Sequence, residues 1–293
     1  MKLDHLDLHE LDKNLSDQER QEWNAIYASL RAGSLLTGRV AGIDTKTIAI
    51  KNTETGKTEN KTVYCLVVIV YRVKVIIPDT EIWYDEKTSK PPYVLRSMAG
   101  TVVDYVITDV DREGECAAAS RRKALEIRRR MFAKQKQGSR PGDKIPCRIM
   151  AVGKLLLLAE AGGYDFGLTQ RDLSYGMIPD LRKEYRPGQE HTALIKSFDT
   201  KENMLAVSIK EAEPHPFDGA DMRHPVNCRR ASKITGKYAG GVFCRLDTNF
   251  DCMCIYTSNQ QDSDFEINDE CIVVITKYDY TLKRVFGKIV AKW

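Results

Sequence analysis

At 293 residues, 42% of them hydrophobic and 29% charged, the chain can fill two or three small cores and still solvate its surface. No apolar run reaches the roughly 18 residues of a membrane span. The opening MKLDHLDLHELDKNL is acidic, where a secretory signal would be basic and then apolar, so cytoplasmic residence with no membrane partner is expected. Eight cysteines form no CxxC pair and are expected to be reduced, with no metal and no cofactor. Cys252 and Cys254 would share a strand face, but no histidine lies near them to complete a ligand set.

The net charge of +4 is unevenly placed. Between Arg121 and Arg140 nine Lys or Arg stand against Glu126 alone, whereas residues 1–32 hold seven acids and four bases. Such a split predicts an anionic partner at one site and a different surface at the other.

In chain order, Ser16-Asp17-Gln18-Glu19 makes a capping box, Trp23, Ile26, Tyr27 and Leu30 share one helical face, and Gly33 stops the helix. Ahead of it Leu3, Leu6, Leu8, Leu11 and Leu15 alternate with acids, a pattern that suits a docking segment and a frayed end equally. From Leu35 the texture is that of strands, with a turn at 52–57. Residues 83–98, with two prolines and little periodicity, are expected to form a loop insertion before a strand at 101–111. Residues 121–137 are helical by composition and end at the Gly138 to Gly142 stretch. A second β unit follows to Lys210, then a proline-rich linker, then a third β unit.

The expected division is an acidic tail and helix over 1–33, β units over 34–120, 142–211 and 229–293, a basic linker helix over 121–141 and a proline-rich linker over 212–228. The fold class is all-β with helical linkers: three tandem five-stranded OB-fold barrels plus an N-terminal helix. Strands do not alternate with helices, which disfavours a βαβ enzyme fold.

One phrase recurs three times. Ile107, Ile195 and Ile275 each stand four residues before Asp111, Asp199 and Asp279. Eleven residues before each aspartate comes Gly100, Gly188 or Asn268, and nine after it comes Ser120, Ser208 or Lys288. Spacings of 88 and 80 residues suit a small complete domain rather than a solenoid unit.

These residues resemble the S1 domain, the RNA-binding OB-fold module of ribosomal S1-type proteins. In the second unit the resemblance rests on Gly142-Asp143, Gly162-Gly163, Gly167-Leu168 leading into Asp172-Leu173, Pro187-Gly188, and the hairpin from Asp199 to Ser208. In the third it rests on KYAGGVFCRLD and the closing hairpin, while the first unit is the most divergent, with KVIIPDTEIW in place of the Gly-Leu segment.

The resemblance implies that single-stranded RNA lies across the face of the second and third strands of a barrel, with rings stacking on bases and an Asp/Arg pair beside them. Position by position, the third unit retains Tyr238, Phe243, Asp279 and Arg284. The second has Val152 and Leu155 where rings are expected, Gln170 where many members have histidine, and Met204 in place of the arginine. The bland readings stay open beside this one: the two rings as core residues, and Asp279 with Arg284 as a surface pair holding a hairpin.

On the basic helix, Arg122, Arg129 and Lys136 fall at heptad spacing and would offer phosphates a row of cations, with Ala124, Ile127 and Met131 as the packing stripe. GSLLTGRV at 33–40 imitates a phosphate loop but has Arg39 and Val40 at the decisive places, and His5 with His9 is the one further metal candidate. No nucleophile and base stand at a catalytic spacing. The expected function is a non-catalytic, S1-type, single-stranded RNA-binding protein in translation or RNA handling. The alternatives are a docking adaptor on the ribosome or transcription machinery in which only the last domain touches RNA, and an accessory subunit of an RNA-processing enzyme.

Overall fold

A computed structural model describes residues 15–51, 58–70, 72–85, 90–135, 138–199, 202, 204–247 and 250–292, with backbone only for 47–51 and 58–61. The leucines of the acidic tail before Leu15, His5, His9 and Lys136 lie outside the described residues.

Among the described residues, fifteen strands form three five-stranded sheets. The first is a closed barrel of β1 (Leu36–Lys51), β2 (Thr58–Val70), β3 (Val73–Pro78), β4 (Val102–Asp111) and β5 (Cys116–Ser120), in the order β1-β2-β3-β5-β4. The third repeats that order with β11 (Arg229–Tyr238), β12 (Gly241–Asp247), β13 (Phe250–Ile255), β14 (Glu270–Asp279) and β15 (Arg284–Lys292). Between them β6 (Lys144–Val152), β7 (Leu156–Ala161), β8 (Tyr164–Thr169), β9 (Glu190–Asp199) and β10 (Met204–Ser208) form a sheet in the order β10-β9-β6-β7-β8. Its seam is bridged by the Ile209 N–H donating to the Asp172 carbonyl at 2.8 Å. The fold is thus mostly β, in OB-type barrels.

The threefold phrase has one structural meaning in every copy. Gly100, Gly188 and Asn268 take φ of +88°, +85° and +82°, a conformation that favours glycine and tolerates asparagine. Their N–H groups donate to the carbonyls of Val40, Ile149 and Ile234, each at 2.8 Å, tying the fourth strand of the unit to its first. Ile107, Ile195 and Ile275 are buried in the three cores. Asp111, Asp199 and Asp279 each accept, through Oδ1, a backbone N–H three residues on, from Gly114, Glu202 and Leu282. The repeated aspartate is a turn-former, an Asx cap on the last hairpin.

Helix α1 (Asp17–Ala32) begins at the capping box and ends at Gly33 with φ +65°. It lays Trp23, Ile26 and Tyr27 into the first core beside Leu66, Val68 and Tyr105. The stretch expected to be a loop insertion carries α2 (Pro92–Arg96), with Leu95 and Met98 buried in the same core. The proline-rich linker contains a further helical turn at Ala220–Arg223. It is packed because Phe217 and Ala220 are apolar enough to join the third core.

The basic helix, α3 (Arg121–Lys134), is shorter than expected and turned differently. Its buried face is Arg121, Ala124, Leu125 and Phe132, while Met131 is exposed. Phe132 decides the register, since its ring packs edge-on against Tyr164 and Phe198 of the second barrel.

Candidate nucleic-acid interface

Strand alternation sorts the third barrel into an inner and an outer face. Val242 and Cys244 on β12, Cys252 and Cys254 on β13, and Val285 and Ile289 on β15 fill the core. Phe243, Met253 and Phe286 therefore point outward, and the register sets them in one row: Gly236 opposite Phe243, Phe243 opposite Met253, Met253 opposite Phe286, Phe286 opposite Lys277. Lys277 Nζ sits 4.8 Å from the centre of the Phe286 ring.

Tyr238 reaches across from the neighbouring row, its ring centre 5.1 Å from that of Phe243 and its hydroxyl donating to the Cys254 carbonyl at 3.2 Å. The ring can lie there because residue 241 is glycine. A Cβ at Gly241 would meet Tyr238 Oη at 2.7 Å and Cζ at 2.9 Å. Burial raises the Tyr238 pKa above its ordinary 10, so the phenol stays neutral. The rings are half-buried, lying on the sheet rather than inside the core.

Around this row Lys288 and Arg284 are exposed. Lys237 is paired with Asp262 at 3.1 Å. Arg284 stands opposite Asp279 in the ladder, but the Asp279 carboxylate accepts the backbone N–H groups of Thr281 and Leu282 at 3.0 and 2.9 Å. Its hydrogen-bonding work is in the turn.

The corresponding face of the second barrel is occupied by the first. Met150 and Ala151 on β6 are buried in the first barrel's core cluster, and Leu158 on β7 packs against it. Thr101 Oγ1 donates to the Ile149 carbonyl at 3.1 Å and Arg148 Nη1 to the Val102 carbonyl at 3.2 Å. The turns of two repeats abut: a Cβ at Gly188 would come within 2.7 Å of the Gly100 carbonyl oxygen. Val152 is half-buried, whereas Leu155 and Met204 are exposed at the sheet's margin, and Gln170 Nε2 donates to the Gly176 carbonyl at 3.0 Å.

Helix α3 completes this seam with its cations. Arg121, 1% exposed, makes a fork to Asp165 at 2.8 and 2.6 Å and donates to the Ile82 carbonyl at 3.0 Å. Arg122 pairs with Glu81 at 2.6 Å, and Arg128 with Asp104 at 2.9 Å. Arg129 donates to the Gly163 carbonyl at 2.8 Å and lies 3.6 Å from the Tyr84 ring centre and 4.3 Å from that of Tyr164. Arg122 and Arg129 thus bind protein groups at the joint of two barrels, while Lys123 and Lys134 are exposed.

Next to Arg121, desolvation raises the pKa of Glu160 above its ordinary 4.5 against the opposing pull of Arg121. A carboxyl that holds its proton more tightly when folded contributes stability below the ordinary value and loses it as pH rises through the raised one. Glu160→Gln should therefore leave a protein whose melting temperature falls less between acid and neutral pH. Parallel slopes for variant and parent would show that Glu160 does not titrate in that window.

Phe286, Met253 and Lys277 are the members of the face that the sequence alone did not single out. Alternation with buried Val285 and with Cys252 and Cys254 was the available signal. Among the described residues no group of three or more His, Cys, Asp or Glu is arranged to hold a metal, and no helix is long and apolar enough to cross a membrane.

Strand order and repeat geometry define three tandem OB-type units, the third with an outward aromatic row. No family model matches the chain. It is similar to the small ribosomal subunit protein bS1 of Neisseria meningitidis, 18% identical over 277 residues that cover 90% of this chain and 44% of that protein. It is also similar to bS1 of Coxiella burnetii, 22% identical over 146 residues that cover 50% of this chain and 26% of that one. The chain spans less than half the length of either relative. Among solved structures, a multidomain protein with nucleic acid binding domains from Streptococcus pneumoniae aligns over 88% of this chain and 73% of its own. Its identity is 9% and its TM-score 0.21.

Proposed function

We propose that this is a non-catalytic, cytoplasmic, S1-type protein that binds single-stranded RNA through the outer face of its third barrel, in translation or a related step of RNA handling. The observation that carries the reading is the row Phe243, Met253 and Phe286 with Tyr238 across it, turned away from a core already filled by other side chains. Stacking on such rings works for any base and needs bases that are not already paired. Lys277, Lys288 and Arg284 supply cations at the margin for the phosphates. The distant similarity to bS1 supports the link to translation.

In this reading the first two barrels and α3 form a supporting block, since the outer face of the second barrel and the arginines of α3 are engaged within the protein. That favours the docking-adaptor form of the function, in which the last barrel carries the RNA-binding face. Competition between a labelled single-stranded oligonucleotide and a duplex of the same length tests it. The single strand should compete far better, and equal or tighter binding of the duplex would remove the stacking argument.

A further inference from the structure

A loop of the second barrel reaches the aromatic row of the third. The Met177 N–H donates to Asp251 Oδ2 and the Met177 carbonyl accepts from Arg245 Nη2, both at 2.5 Å. Arg245 Nε closes the ring by donating to Asp251 Oδ1 at 2.6 Å, and Thr235 Oγ1 adds a bond to Asp251 Oδ2 at 3.2 Å. One carboxylate–guanidinium pair, its Asp251 side chain only 7% exposed, thus binds both backbone groups of a single residue from another barrel. Charge-assisted bonds in a fixed fork hold geometry closely.

The loop is equally fixed at its own end. Gly176 donates to Ser174 Oγ at 3.0 Å, its carbonyl accepts from Gln170 Nε2 at 3.0 Å, and Ile178 is buried in the second core.

Held in this way, the Met177 side chain lies over Gly236 at the end of the row. The Cβ position of Gly236 is 3.3 Å from Met177 Cγ, 3.7 Å from its Cε and 3.5 Å from Phe243 Cδ2. Gly236 leaves the room that the thioether fills. Among the described residues, the far end of the row, at Phe286 and Lys277, takes no hydrogen bond, ion pair or ring contact from the second barrel.

We propose that Met177 is the closing wall of the third barrel's stacking face, with Arg245 and Asp251 as the residues that position it, so that the RNA site is shared by two barrels. This rests on the proposed RNA-binding role of that face. A base on Phe243 meets a polarisable thioether at its edge, a contact that sulfur makes well with rings. The strand is stopped or turned at that end and continues past Phe286. The second barrel then contributes to binding through this one side chain, although its own outer face is covered.

The test uses the full chain and a labelled oligouridine. Met177→Ala should weaken binding about three- to tenfold, a fraction of what a full stacking ring contributes, and Met177→Leu should recover most of the loss. Arg245→Ala should weaken binding to a similar degree, and the double variant should be hardly worse than either single one, because both changes remove the same wall. Thermal unfolding of each variant provides the control for folding.

Unchanged affinity in Met177→Ala would overturn the proposal. Tighter binding would overturn it too, showing that the loop competes with RNA for the face. Additive losses in the double variant would mean that Arg245 touches RNA itself and is not positioning Met177. If Tyr238→Ala with Phe243→Ala also leaves affinity intact, the face itself is wrong. If that pair weakens binding and Met177→Ala does not, the wall alone is wrong.

Discussion

Arg121→Ala is expected to lower the stability of the protein by about 3–5 kcal/mol, the usual cost of breaking a buried ion pair from one side. The guanidinium is enclosed between the first barrel, through the Ile82 carbonyl, and the second, through Asp165. Its removal leaves the Asp165 carboxylate, 12% exposed, close to Glu160 without its cation. Arg121→Lys keeps the charge but loses the two-pronged geometry, and should fall between parent and alanine variant. Denaturant midpoints for the three proteins, with the slopes compared, would measure this. A loss below about 1 kcal/mol for the alanine variant would mean that the seam relaxes to let water reach Asp165.

The second large effect concerns binding. Tyr238→Ala together with Phe243→Ala should cost about 2–5 kcal/mol of RNA affinity, two rings at roughly 1–3 kcal/mol each with allowance for non-additivity. Coupling is expected because the rings touch, their centres 5.1 Å apart. Phe286→Ala alone should cost about 1–3 kcal/mol on the same grounds, which extends the face by a strand. Val152→Ala makes the contrast: its half-buried side chain packs on the second core, so stability should fall while affinity changes little. Titration of each folded variant with one oligonucleotide compares them directly. A double variant that is folded and binds within about twofold of the parent would show that bases do not stack on these rings.

The threefold phrase was recognised by spacing, and the structure supplies its reason: a positive φ at Gly100, Gly188 and Asn268 and an Asx turn at each aspartate. The same reason changes the meaning of one residue. The resemblance sets Asp279 with Arg284 beside RNA, with a surface pair holding the hairpin as the open alternative; in the structure the carboxylate caps a turn, as Asp111 and Asp199 do in the other two copies. A motif common to all three copies is better explained by what all three share, which is the fold.

The arginines of α3 teach the converse. Their density and heptad spacing predict a row offered to phosphate by Arg122 and Arg129. In the structure Arg122 meets Glu81 and Arg129 lies between Tyr84 and Tyr164. Glu81, Tyr84 and Tyr164 lie 41, 45 and 35 positions from the arginines they meet, and nothing local marks them.

Local chemistry was therefore enough for the mostly β fold class, the threefold repeat and the capped N-terminal helix. Turn conformations, caps and strand alternation act over a few residues, and a sequence displays them directly. Which surface remained open was settled only by tertiary packing. Burying Met150, Ala151 and Leu158 against the first barrel closed one face, and the parallel pairing of β13 with β15 brought Phe286 beside Met253 on the other. Contacts such as that of Met177 with Arg245 and Asp251 join residues 68 and 74 positions apart. Their selection depends on the sum of packing between whole barrels, which leaves no periodic signature in the chain.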